Sequence, residues 1–227
     1  MSSKKSSTNP HLPLRLGITG GIGSGKSHVC RELEALGVPV FYCDDEAKRL
    51  IRTDRPLQEA LTALVGKDLY ADGCLQKPVM AAYLCRGRDY AARVDALVHP
   101  RVADSFRSWC HRTDAPLLGM ECALLFESGF DRLVDETLLI AAPEDVRLDR
   151  VIRRDGVSEE KARAWMALQM PEAEKARRAR HQLLNDGATP IGPQLQALLE
   201  KLRSTCLQRS ASAEPPHGEE PSPYPTL

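Results

Sequence analysis

Five short apolar runs punctuate the chain, each followed by a turn and then by apolar residues at helical spacing. They are LRLGI at 14–18, VPVFY at 38–42, PLLGMEC at 116–122, ETLLIAA at 136–142 and QLLN at 182–185. Strand-length apolar runs alternating with helical patterns predict a parallel sheet with crossover helices. After the first run, Val29, Cys30, Leu33 and Leu36 predict one face of a helix, with Gly37 placed to end it. Leu195, Leu198, Leu199 and Leu202 give a final helix its apolar stripe. The expected fold class is α/β, a parallel sheet flanked by helices.

Two segments interrupt the alternation. Residues 50–112 form a long, mostly helical excursion with a break at KDLYADGC, and residues 147–180 carry ten basic side chains against six acidic ones. The ends, 1–13 and 209–227, are rich in Ser or in Pro, Ser and Glu, and are expected to be disordered tails around one domain at 14–208. The chain of 227 residues has 31 basic and 31 acidic side chains, so no global field calls for nucleic acid or an anionic membrane. No run approaches a membrane span, and the chain reads as cytoplasmic, a monomer or weak homo-oligomer. Cysteines 30, 43, 74, 85, 110, 122 and 206 form no CxxC pair, and read as reduced, mostly buried thiols.

The chemistry begins in GITGGIGSGKS at 17–27. Gly20, four further residues and then Gly25-Lys26-Ser27 match GxxxxGK[ST], set between a predicted strand and a predicted helix as a phosphate loop requires. Glycines, Gly21 and Gly23 among them, let successive N–H groups point inward, and the helix start adds its partial positive charge. Lys26 is placed to reach the β and γ phosphates, and the Ser27 hydroxyl to ligate Mg²⁺. The same loop serves many reactions. Neither a guanine-reading NKxD nor a transporter LSGGQ segment is present.

At the exit of the second run, VFYCDDEAKRL places Asp44 beside the loop, where open α/β sheets bind ligands. A carboxylate there can orient an attacking hydroxyl and accept its proton. Asp44 or Asp45 capping the following helix is the equal alternative. Arg150 and Arg154 lie four apart, on one face of a helix following the fourth strand, where a lid can close over a triphosphate and exclude water. The alternative there is a solvated helix face.

The segments LGITGGIGSGKS, GVPVFYCDDEAKRL, LVHP, ALLFESGFD, RVIRRDGVSEEKARAWMALQM and NDG, in this order and spacing, resemble the dephospho-coenzyme A kinase family over about 14–207. The resemblance implies a P-loop NTPase core of nucleotide-kinase type, a helical substrate-binding insertion at about 50–112 and a lid at about 147–180. It implies transfer from MgATP to the 3'-hydroxyl of the dephospho-coenzyme A ribose. Asp44 then matches the family's general base, Lys26, Arg150 and Arg154 its other catalytic positions, and the stretch from Gly23 through Ser24, Gly25, Lys26 and Ser27 to His28 its nucleotide loop. Asn185 with Gly187 matches the segment near the adenine, and Lys77, His99, Leu125 and Glu127 match positions around the acceptor.

The chain departs from the family where Tyr42 replaces the first aspartate of DxD, Ala123 the usual proline, Lys77 an arginine and Arg180 an aspartate. Glu121 and Glu127 read equally as strand-end carboxylates, and Trp165 as helix packing rather than a stacking platform. A nucleotide monophosphate kinase on the same core, or a regulatory module that holds nucleotide without turnover, are the rival readings; Asp44 and the paired arginines argue against the second.

Overall fold

A computed structural model describes residues 13–212. The first apolar run is strand β1 (Leu14–Thr19), which enters helix α1 (Lys26–Ala35) through the glycine-rich loop. Gly37, at φ +84°, turns the chain, and the Val38 amide closes the helix on the Leu33 carbonyl. Strand β2 (Val40–Tyr42) therefore starts two residues later than the apolar run suggests. It passes directly into α2 (Cys43–Thr53), whose first turn holds Asp44, Asp45 and Glu46, the sign a helix N-terminus favours.

The long excursion continues through α3 (Arg55–Val65), a small antiparallel hairpin of β3 (Tyr70–Ala71) and β4 (Cys74–Leu75), α4 (Lys77–Leu84) and the long α5 (Arg88–Arg112). The hairpin occupies the break in the helical pattern. It turns on Asp72 and Gly73, both at positive φ. The chain returns as β5 (Leu117–Glu121) and β6 (Glu136–Ala141), then α6 (Glu144–Asp155), α7 (Glu159–Met166), α8 (Glu172–Arg178), β7 (His181–Leu184) and α9 (Ile191–Ser212). Residues 209–212, expected in a tail, belong to α9; residues 1–12 and 213–227 of the expected tails lie outside the described residues.

The strands form one parallel sheet in the order β2-β5-β1-β6-β7. Because β1 lies between β5 and β6 while its own helix carries the chain out to β2, a crevice opens at the carboxyl ends of β1 and β5. Each sheet face is covered, as a parallel sheet requires. On one side α1 and α9 press Val29, Leu33, Leu195 and Leu199 onto Leu14, Leu16 and Ile18 of β1. On the other, α2 to α5 bury Leu50, Leu61, Val98 and Phe106 against Phe41, Met120 and Leu125. The insertion thus shares a core with the sheet. Helices α6 and α7 have a small cluster of their own around Leu148, Val151 and Ala162, and Trp165 packs there, its ring beneath the Lys161 ammonium. Cys30, Cys43 and Cys122 are buried, whereas Cys74 and Cys85 are exposed, against the expectation of mostly buried thiols; no disulfide joins any of the seven. Among the described residues no helix is long and apolar enough to cross a membrane.

Candidate active site

The crevice is a cleft of about 620 Å³ lined by the glycine-rich loop, the start of α2, the end of β5 and the arginine face of α6. Lys26 and Ser27 open α1 at the foot of the loop, and Gly25, at φ +88°, makes the left-handed step from the loop into the helix. The Lys26 ammonium lies along the loop, donating to the carbonyls of Gly20 at 2.9 Å and Gly21 at 3.5 Å. Burial pushes its pKa down, and the Glu121 carboxylate pulls it back up.

The glycines of the loop are spaces that other side chains occupy. A Cβ on Gly21 would collide with the Arg147 guanidinium, one on Gly23 with the Arg147 backbone carbonyl, and one on Gly25 with the Asn185 amide nitrogen. Asn185, just past β7, donates to the Ser24 carbonyl at 2.7 Å, and Arg150 donates to the Asn185 carbonyl at 2.9 Å. Arg150, one turn after Arg147 on α6, also donates to the Gly23 carbonyl at 3.4 Å. Gly187 lies against the same Arg150. Arg147, which sequence reasoning left in a basic run, is buried, bonded to the Ala142 carbonyl and near Glu172. Arg154 also lines the cleft, paired with Asp155 at 2.7 Å.

Three carboxylates, Asp44, Asp45 and Glu121, line the cleft beside the loop. Asp44 is the second residue of α2; Tyr42 is the N-cap and no side chain caps that helix, so the capping alternative is excluded for Asp44 and Asp45. Asp45 pairs with Lys48 at 3.0 Å. Glu121, at the buried end of β5, has its pKa raised by burial, with the Lys26 charge opposing the rise. Tyr42, which stands at the first DxD position, directs its hydroxyl to Glu34 of α1 at 3.0 Å.

Residues 14–190 match the family described as Dephospho-CoA kinase. A Dephospho-CoA kinase of Bacteroides fragilis is 40% identical over 189 residues, 83% of this chain and 92% of that protein. The chain belongs to the dephospho-CoA kinase family. A crystal structure from Thermus thermophilus, 34% identical, superposes with a TM-score of 0.72 over 87% of this chain and 98% of its own. The dephospho-CoA kinase of Campylobacter jejuni, at 18% identity, shares the fold with a TM-score of 0.57 over 87% of this chain and 95% of its own.

The cleft gathers many of the residues that the family motifs single out: Gly23, Gly25, Lys26, Ser27, His28, Asp44, Arg150 and Arg154 all line it. Gly21, Ser24, Asn185 and Gly187 stand behind them as the loop's support. The four acceptor-side candidates are not brought into the cleft. Lys77 is exposed at the start of α4, and His99 on α5 packs edge-on to Phe130 with Asp95 at 3.7 Å. Leu125 is wholly buried beneath Gly17, and its neighbour Leu124 is the exposed one. Glu127 pairs with Lys175 at 3.3 Å. Fully buried Lys175, together with Gln169, whose amide oxygen accepts from the Ile22 N–H at 2.7 Å, are the contacts sequence reasoning missed.

Proposed function

We propose that this dephospho-CoA kinase transfers the γ-phosphoryl of ATP to the 3'-hydroxyl of the dephospho-CoA ribose in the cleft at the ends of β1 and β5, releasing CoA and ADP. The observation that carries this placement is the meeting of Lys26, Ser27, Asp44, Glu121 and Arg150 around one opening. The loop amides and Lys26 hold the phosphates; Arg150 brings charge to the transferring group. Asp44 faces them from α2, orients the ribose hydroxyl in line with the γ-phosphorus and takes its proton as the new P–O bond forms and the bond to ADP breaks. The arginine helix and its neighbours α7 and α8 serve as a lid that keeps water from competing for the phosphoryl group.

Mg²⁺ fits this site: Ser27, Asp44 and Glu121 present the hard oxygen donors it prefers. Among the described residues no group of three or more His, Cys, Asp or Glu side chains forms a metal cage. Ser27 would hold it directly and Glu121 through water, and bound there it neutralises charge on the β and γ phosphates.

The test is a coupled assay for ADP from MgATP with dephospho-CoA set against nucleosides and nucleoside monophosphates, and mass analysis of the product. Gain of one phosphate on dephospho-CoA alone, lost at the 3' position on nuclease treatment specific for 3'-phosphates, is the expected result. Transfer to a nucleotide instead overturns the acceptor, and ATP binding without turnover overturns the kinase.

A further inference from the structure

The arm that leads out of the lid, from Gln169 to Lys175, is tied to the phosphate loop at one point and to the segment after β5 at two more. The Gln169 side-chain oxygen accepts from the Ile22 N–H at 2.7 Å. The next residue, Met170, donates its N–H to Glu127 at 2.9 Å. Lys175, on the first turns of α8 and without solvent exposure, donates to the Ala123 carbonyl at 3.0 Å and pairs with Glu127 at 3.3 Å. Ala123 is itself fixed, since Thr19 at the end of β1 donates to the same carbonyl at 3.3 Å. A lysine loses much rotamer freedom and hydration on full burial, a cost that the Ala123 carbonyl and the Glu127 carboxylate offset here.

Gln169 and Ile22 both line the cleft. The Ile22 peptide lies between Gly21 and Gly23, the two glycines against which Arg147 packs. Its N–H is therefore held by a side chain from beyond α7, while the flanking backbone is held by α6.

We propose that Gln169 is a positioning residue for phosphoryl transfer: braced by the Lys175–Glu127 pair, its amide oxygen sets the Ile22 peptide of the phosphate loop relative to the lid that carries Arg150. It touches neither substrate in this role. It acts by holding the loop and the arginine helix in one register, and misplacement of such groups by about 1 Å costs on the order of a hundredfold in rate. The proposal rests on the kinase reading above.

Two variants separate positioning from general structural support. Gln169→Ala removes the acceptor, whereas Gln169→Glu keeps an acceptor of the same length and adds a charge that faces the triphosphate. For Gln169→Ala, kcat is expected to fall about tenfold or more with a KM for dephospho-CoA within about threefold of the parent. Gln169→Glu is expected to recover most of kcat while raising the KM for ATP. On an Arg150→Ala background the further loss from Gln169→Ala is expected to shrink to less than about threefold, because both changes disturb one unit. Hydrogen exchange of the Ile22 amide, followed in the free protein, is expected to quicken in Gln169→Ala and to return to the parent rate in Gln169→Glu. Unchanged exchange at Ile22, or a kcat loss that Glu fails to restore and that multiplies fully with Arg150→Ala, overturns the proposal. If the parent protein itself leaves dephospho-CoA unphosphorylated, the kinase reading fails separately, and the exchange measurement still decides whether Gln169 holds Ile22.

Discussion

In the proposed reaction Asp44 and Glu121 divide the work at the cleft they both line. Asp44 reaches out from a helix start, so replacing it with Asn is expected to lower kcat by about 10² to 10⁴ while ATP affinity, which depends on the loop, stays nearly constant; steady-state kinetics beside calorimetric titration with nucleotide checks both halves. Glu121 is buried, and burial raises its pKa above the ordinary carboxylate range. Between the ordinary value and the raised one the folded chain binds more protons than the unfolded chain, so stability falls as pH rises through that window. Glu121→Gln is therefore expected to raise the melting temperature at pH 7 more than at pH 4 and to slow turnover, read from thermal scans at both pH values and the coupled assay. Lys26 and Ser27 were legible because their spacing is local. Lys175 and Gln169 were not, since Gln169 meets Ile22 and Lys175 meets Ala123 only once the lid arm has come back to the loop. That Leu125 is taken by the core while Leu124 stays exposed was not legible either, because the two adjoin in sequence and only strand-exit geometry separates them.

The elements explain why the loop is rich in glycine. Gly25 needs a positive φ and also leaves room for the Asn185 amide, so Gly25→Ala faces both a strained backbone and a clash with the Asn185 side chain just past β7. Nucleotide binding is expected to be lost in that variant while circular dichroism shows the sheet and helices intact; retained affinity would mean that Asn185 can move away at little cost. The parallel strands were readable from their apolar runs, but their ends were not. β2 loses Val38 to the closing turn of α1, and β7 starts one residue before the run that predicts it, at His181, whose ring lies 3.1 Å from Glu136 of β6. The hairpin of β3 and β4 is too short to impose a period of its own. The alternatives for Asp44 could be separated only by the helix start at Cys43 with Tyr42 as its cap.

At the scale of the molecule, the insertion and the sheet share one core. Phe106 of α5 is 1% exposed and meets Phe41 of β2 edge-on, with ring centres 5.3 Å apart. Phe106→Ala is expected to cost about 3–5 kcal/mol in denaturant unfolding, in one transition seen alike by circular dichroism and by tryptophan emission. Separate transitions for the two signals would show that the helices unfold on their own. The balanced charge and the α/β alternation were legible at this scale, whereas the sharing of the core was not, because it depends on which face of β2 and β5 the excursion returns to.

The place of β1 between β5 and β6 also sets a timetable for synthesis. The phosphate loop leaves the ribosome well before its partners, since the strand that carries it pairs with Leu117–Glu121 and Glu136–Leu139, and the Ser24 carbonyl waits for Asn185. Folding that needs such distant partners is slow to begin. A nascent chain therefore carries its nucleotide-binding sequence without a nucleotide-binding site until those later segments are made, and the apolar β1 must be shielded until its neighbours emerge.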